Sequence, residues 1–168
     1  MSRIDGFMGQ SMDIPKDRFY SNEHHLWLRR IDEEDLAGTI EIGITQPGLA
    51  LEEGWKEVNF LVGEGDQIDY DEELIHAETG LTQTYVKSPL PGKVTATNCD
   101  LLGEALTASP YDNWLLRLEP DPTWEGCLSD ARGYIDWLAG SGHASGSAAQ
   151  RRGGAGGGEC TTLYGGPQ

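Results

Sequence analysis

Short apolar stretches, separated by glycine, proline or acidic residues, run through the first 140 residues of the chain. The clearest is residues 39–45, where Ile40, Ile42 and Ile44 alternate with other residues, as in a strand with one buried face. Comparable stretches recur about every ten residues. They lie at residues 19–30, 58–62, 67–70, 93–97 and 115–118. This spacing predicts about seven or eight short strands in a mainly β fold, a small sandwich or flattened barrel.

A β-hairpin is predicted within residues 74–94. Residues 74–77 and 85–86 are apolar and flank a polar stretch with Gly80 near its centre. A hairpin turn of this kind favours a residue that tolerates positive φ, so the tip is expected close to Gly80 and Leu81. Two prolines and a glycine follow, which predicts a sharp turn into the next strand.

Two helices interrupt and close the strand pattern. Residues 46–54 begin with a proline suited to a helix start and end at a glycine, which predicts a short internal helix. Residues 128–140 carry an apolar face, with Ser129 as the expected N-cap and Gly140 at the exit. The second pattern predicts a C-terminal helix.

The chain of 168 residues has room for one good hydrophobic core, which residues 16–140 are expected to form. Residues 1–15, which include Gly6 and Gly9, are predicted to be a flexible leader. Residues 141–168 are rich in glycine, serine and alanine and offer little to bury. That composition cannot offset the entropy of ordering, so a disordered tail is predicted there.

Charge and cysteine content narrow the classes of partner. The formal net charge is −16, which repels phosphate backbones and anionic membranes, so neither nucleic acid nor a membrane is expected as a partner. No apolar run approaches the roughly 20 residues that span a bilayer, and the first residues lack the apolar core of a signal peptide. The three cysteines are scattered and odd in number. These features favour a soluble protein of the reducing cytoplasm.

Side chains that could carry catalysis or bind metal show no supporting pattern. His24, His25, His76 and Cys99 lack the spacing that a helix or knuckle would impose on metal ligands, so no metal site is predicted. No nucleophile-elbow motif is present either. We therefore predict no catalytic residues and no enzymatic activity.

Several motifs, in the same order along residues 19–139, resemble the glycine cleavage system H protein family. Residues 76–82 read His-Ala-Glu-Thr-Gly-Leu-Thr, against the family pattern Ala-Val-Glu-Ser-Val-Lys-Ala. Residues 88–94 then match Ala-Pro-x-x-Gly-x-Val. The family's Gly-Ile-Thr and Ser-Pro-Tyr recur at residues 43–45 and 109–111. The resemblance implies a lipoyl-domain-like barrel-sandwich hybrid with a short internal helix and a C-terminal helix.

The resemblance also implies a function, and one position departs from it. Family members carry lipoate on a lysine at the hairpin tip, and that position is Leu81, flanked here by Glu78 and Gly80. Leucine has no nucleophilic atom, so no cofactor is expected. Read without a gap, His25 stands where the family has a glutamate thought to hold the loaded arm.

Two functions remain open. The first is a non-catalytic interaction module that contacts glycine decarboxylase, aminomethyltransferase or lipoate-transferring enzymes. The second is an authentic lipoyl carrier of the glycine cleavage system that uses a non-standard lysine, for which Lys87 and Lys93 are the candidates.

Overall fold

The computed structural model describes residues 2–31, 33 and 38–142, and this part of the chain forms eleven strands and three α-helices. The strands are β1 (Ser2–Phe7), β2 (Gln10–Ile14), β3 (Phe19–Ser21), β4 (Leu26–Arg30), β5 (Ile40–Ile44), β6 (Trp55–Phe60), β7 (Gln67–Ile68), β8 (Glu73–Thr79), β9 (Gln83–Lys87), β10 (Gly92–Thr97) and β11 (Leu116–Pro120). The helices are α1 (Gln46–Leu51), α2 (Gly103–Ala108) and α3 (Ala131–Trp137).

The strands form three antiparallel sheets. A six-stranded sheet has the order β3-β4-β5-β11-β10-β7, a three-stranded sheet has the order β6-β8-β9, and β1 pairs only with β2 among the described strands. The strands outnumber the prediction for two reasons. Residues 19–30 divide at a turn into β3 and β4, and residues 2–14 form a hairpin of their own.

The main core includes apolar side chains of both larger sheets, among them those of β5. Ile40, Ile42 and Ile44 are buried, as the alternation predicted. The opposite face of β5 is covered as well, because Glu41 is buried between Arg29 and Arg117, with N–O distances of 2.8 and 3.0 Å. A buried carboxylate needs such partners to offset its lost hydration.

The N-terminal hairpin corrects the prediction of a flexible leader over residues 1–15. Ile4, Phe7, Met12 and Ile14 are buried in a second apolar cluster, together with residues of α3. The sequence signal was weak because glycines separate the apolar positions. The part of the partner surface that belongs to α3 also lies more than a hundred residues further along the chain.

Trp27 is buried in the second cluster, and its indole ring leaves no room for a side chain at Gly43 on the neighbouring strand. A Cβ atom at Gly43 would lie 2.3 Å from the indole ring, which is closer than real Cβ contacts allow. The indole N–H donates to the Pro110 carbonyl at 3.1 Å, and the Arg18 guanidinium lies 4.6 Å from the ring centroid. The Gly-Ile-Thr and Ser-Pro-Tyr motifs thus meet at one tryptophan.

Both predicted helices are present, with one corrected cap. Thr45 caps α1 by accepting from the Gly48 N–H at 3.1 Å. For α3 the N-cap is Asp130, which accepts from the Gly133 N–H at 2.8 Å. Ser129 instead forms a β-bridge with Tyr20. The Tyr20 N–H donates to the Ser129 carbonyl at 2.8 Å, and the Ser129 N–H donates to the Tyr20 carbonyl at 2.9 Å.

Residues 138–142 form a wider turn after α3, so the α-helix ends before the predicted exit at Gly140. The disordered tail predicted over residues 141–168 lies almost entirely outside the described residues. Within the described residues, no helix combines the length and apolar character needed to cross a membrane.

Candidate functional site

The β8–β9 hairpin presents Leu81 at its tip. Thr79 pairs with Thr82 through a backbone hydrogen bond of 2.9 Å, so Gly80 and Leu81 form the two-residue turn. The Leu81 side chain is 57% exposed. The tip therefore lies where the sequence pattern predicted it.

The tip is held in position from below. The Thr79 hydroxyl oxygen accepts from the backbone N–H groups of Leu81 and Thr82 at 3.2 and 2.9 Å. The Gly80 N–H donates to the Gly54 carbonyl at 2.9 Å, which ties the tip to the turn after α1. These bonds satisfy the backbone of a turn that would otherwise depend on water.

Gly80 is required for a different reason from the one predicted. Its φ is not among the positive values in the chain, so the turn does not depend on a left-handed backbone. A Cβ atom there would instead lie 2.3 Å from the Glu53 carbonyl oxygen. Close approach of two backbone segments therefore accounts for the glycine.

Glu78 lies on β8 immediately before the tip and is exposed. In register it stands opposite Glu57 on one side and Gln83 on the other. Two carboxylates on neighbouring strands repel each other, so this row adds negative charge beside the tip and little stability.

The two candidate lysines lie away from the tip. Lys87 is opposite Glu73, at the end of the hairpin remote from the turn. Lys93 is on β10 and lies between Gln67 and Glu119 in the six-stranded sheet. Neither lysine occupies the two-residue turn.

A cleft of about 300 Å³ runs beside β9. One wall is β9 itself, and the other comes from the turn between β3 and β4 together with α1 and the residues that follow it. The lining residues are Glu23, His24, His25, Ile44, Gly48, Leu51, Glu52, Trp55, Asp71, Thr84, Tyr85, Val86 and Lys87. Three of these side chains, His24, His25 and Lys87, were candidates from the sequence. No local sequence pattern indicates a site formed by segments so far apart in the chain.

His24 and His25 have separate roles in the cleft wall. The His24 ring bonds the Ser21 hydroxyl at 2.8 Å and Asp71 at 3.1 Å, joining the β3–β4 turn to the residues before β8. His25 has a positive φ of 54°, and its Nδ1 lies 2.8 Å from the Tyr134 hydroxyl.

The Tyr134 hydroxyl links this cleft wall to the core. It also lies 2.8 Å from Thr45 Oγ1, which already accepts from Gly48. The Tyr134 hydroxyl has one proton and two acceptor lone pairs, so it can bond Thr45 Oγ1 and His25 Nδ1 at the same time. Burial raises the pKa of Tyr134, so its hydroxyl stays protonated and can take part in these hydrogen bonds.

The described residues contain no group of three His, Cys, Asp or Glu side chains placed to hold a metal ion. Cys99 is exposed and is not disulfide-bonded.

Comparison with a solved structure shows the fold of the protein. The crystal structure of a glycine cleavage system H protein from Mycobacterium marinum matches this fold with a TM-score of 0.63 and 22% sequence identity, over 75% of this chain and 99% of that one. The predicted fold, a mainly β barrel-sandwich hybrid of the lipoyl-domain type, is thereby confirmed.

Sequence comparison adds the family. Residues 18–135 match the family described as glycine cleavage H-protein. The chain is 34% identical over 125 residues to the glycine cleavage system H protein of Nitratidesulfovibrio vulgaris (strain DSM 19637 / Miyazaki F), covering 71% of this chain and 91% of the relative. It is 33% identical over 135 residues to that of Nitrosospira multiformis, covering 79% and 100%. The chain belongs to the glycine cleavage H-protein family, whose members are lipoyl carrier proteins and not enzymes.

Proposed function

We propose that this chain is a glycine cleavage H-protein-like module that carries no lipoate at its hairpin tip and acts through protein contacts. The observation that carries the proposal is the side chain at the tip. Leu81 is more than half exposed on an anchored turn, where the family resemblance expects the modified lysine.

The chemistry of attachment supports the proposal. Lipoate is joined through an amide to a lysine amine, and leucine offers no atom that could form that bond. The anchored backbone also leaves the turn little freedom to bring another residue to the tip, because Gly80 lies against Glu53. What the hairpin tip lacks is therefore the reactive amine, while the geometry that would present it is kept.

Family membership implies protein partners from the glycine cleavage system. We propose glycine decarboxylase, aminomethyltransferase or lipoate-transferring enzymes as the specific partners. The scattered cysteines support the cytoplasm as the compartment where these contacts form.

The test is modification of the full chain by a lipoate ligase supplied with ATP and lipoate, followed by intact mass measurement. We expect no mass gain on the native chain and one lipoyl group on Leu81→Lys, with loss of one water. The matched control Leu81→Arg keeps the positive charge without an acylable amine and should gain nothing. A lipoyl mass on the native chain would contradict the proposal.

The alternative is a lipoyl carrier that uses another lysine, and the position of Lys87 in the cleft wall is the observation in its favour. This reading requires native lipoylation that disappears in Lys87→Arg or Lys93→Arg. Peptide mapping of a modified native chain would identify the lysine.

A further inference from the structure

The outer edge of β9 has backbone groups that face away from its own sheet. The sheet order β6-β8-β9 leaves β9 at the edge. Thr79 and Thr82 form a hydrogen-bonded pair, so Thr84 and Val86 also direct their N–H and C=O groups toward β8.

The intervening residues, Gln83 and Tyr85, therefore direct their backbone groups toward the open edge. No other strand in the described part of the chain pairs with this edge. Such an edge is a ready template for one more strand.

The cleft follows this same edge. Residues 84–87 of β9 form one wall, and the turn that contains Glu23, His24 and His25 contributes to the other. A volume of about 300 Å³ lies within the range of ligand sites and accommodates a short extended segment. Leu51 supplies apolar surface, while the open edge supplies hydrogen-bonding groups.

The charge of the cleft favours a cationic segment. Glu23, Glu52 and Asp71 lie in its lining, against a single lysine, Lys87. The whole chain is strongly acidic as well, with a formal charge of −16. Complementary charge steers a basic partner to this site and disfavours an acidic one.

The cleft wall also contains a buried donor without a partner. Trp55 is 3% exposed and lines the cleft, and its indole N–H has no hydrogen-bond partner. A buried donor without an acceptor is costly.

We propose that this cleft binds an extended segment of a partner protein, which adds as a further strand to β9 and presents lysine or arginine to Glu23, Glu52 and Asp71. The inference rests on the proposed role as an interaction module and adds the chemistry of the partner: an alternating basic and apolar strand. The backbone pairing supplies affinity, and the acidic lining supplies selectivity.

The first experiment titrates the full ¹⁵N-labelled chain with the peptide acetyl-Lys-Val-Lys-Val-Lys-amide. We expect saturable shifts of the backbone amides of Gln83 and Tyr85. The same peptide with all five backbone nitrogens methylated should bind at least tenfold more weakly, because neither of its edges can then donate a hydrogen bond to β9. The acidic peptide acetyl-Glu-Val-Glu-Val-Glu-amide should not bind. Absence of saturable shifts on β9, or equal binding of the N-methylated peptide, would overturn the inference.

Two variants separate pairing from charge. Tyr85→Pro removes an edge-facing N–H but no bond to β8, so the spectrum should stay dispersed while peptide affinity falls at least tenfold. Asp71→Asn keeps a side chain suited to its φ of 69° and should weaken binding severalfold. The control Asp100→Asn alters an exposed acid outside the cleft lining and should bind as the native chain does. Unchanged affinity in Asp71→Asn would overturn the assignment of a basic partner.

Self-association is a further outcome. Concentration-dependent shifts at Gln83 and Tyr85 without any peptide would mean that a second copy pairs with this edge, which would overturn the inference. Failure here is distinct from failure of the proposed function. Lipoylation of the native chain would contradict the proposed function. An unmodified chain that does not bind the basic peptide would contradict only the strand-docking inference.

Discussion

Two of the hairpins of this protein, β1–β2 and β8–β9, both expose an apolar residue at the turn but are held in different ways. Met8 is 53% exposed and Leu81 is 57% exposed. Around the first turn, Gly6 and Gly9 have a φ of +80° and no neighbouring atom within 4 Å of an added Cβ. Around the second, Gly80 is pressed against Glu53.

The difference lies in which part of each hairpin packs. The β1–β2 hairpin is held by its strands, whose apolar side chains cover Tyr20 and Tyr134. The β8–β9 hairpin is additionally held at its turn, through Thr79 and Gly80. A turn fixed in this way presents one side chain at a defined place, whereas the free turn of the first hairpin serves mainly to connect two covering strands.

The largest effect expected of a single substitution is on the strands of the first hairpin. Ile14 is fully buried, so Ile14→Ala should lower the free energy of unfolding by about 3 kcal/mol. Met8→Ala, at the exposed turn, should change it by less than about 0.5 kcal/mol. Urea denaturation of both variants measures the contrast. Equal values for the two would mean that the hairpin does not pack as described.

The next effect separates the two turns. Gly80→Ala brings a Cβ into the Glu53 carbonyl and should destabilise by about 2 to 3 kcal/mol. Gly6→Ala meets open space and has only its left-handed backbone to strain, a cost of about 1 kcal/mol. Denaturation midpoints at constant m-value test the order. If Gly6→Ala is the more harmful, the second turn is not the anchored one.

Alkaline pH should act on the surface under the first hairpin. Burial raises the pKa of Tyr20 and Tyr134, and it raises that of Tyr111 to about 12. Unfolded tyrosines ionise near pH 10, so the native state binds more protons above that pH. The stabilisation that these neutral tyrosines contribute is fully present below pH 10. It should be lost as the pH rises toward 12, by up to about 1.4 kcal/mol per pH unit for each tyrosine. Urea midpoints at pH 8 and pH 11 measure the loss, and Tyr20→Phe should reduce it.

The smallest effect is expected at the tip itself. Leu81→Lys replaces an exposed side chain on a turn held through its backbone, so its unfolding free energy should stay within about 0.5 kcal/mol of the native value. Thermal unfolding of the variant checks this. A larger loss would show that the leucine packs against something and is not simply presented.

Sequence patterns predicted β5, the position of Leu81 and the barrel-sandwich fold, because these depend on local alternation and on motifs in order. They did not predict the first hairpin, since its four buried apolar residues become meaningful only beside α3. They also missed the reason for Gly80, which lies in the backbone of a different segment. The cleft beside β9 was not predicted for the same reason, because its walls come together only in the folded protein.

The contact between Trp27 and Gly43 has a consequence for how this family can vary. The indole occupies space that any side chain on the neighbouring strand would claim, so neither position is free to drift by itself. Where a relative acquires a larger residue in place of the glycine, we expect a smaller one in place of the tryptophan. Such paired replacement would appear among family sequences as correlated substitutions at the two positions.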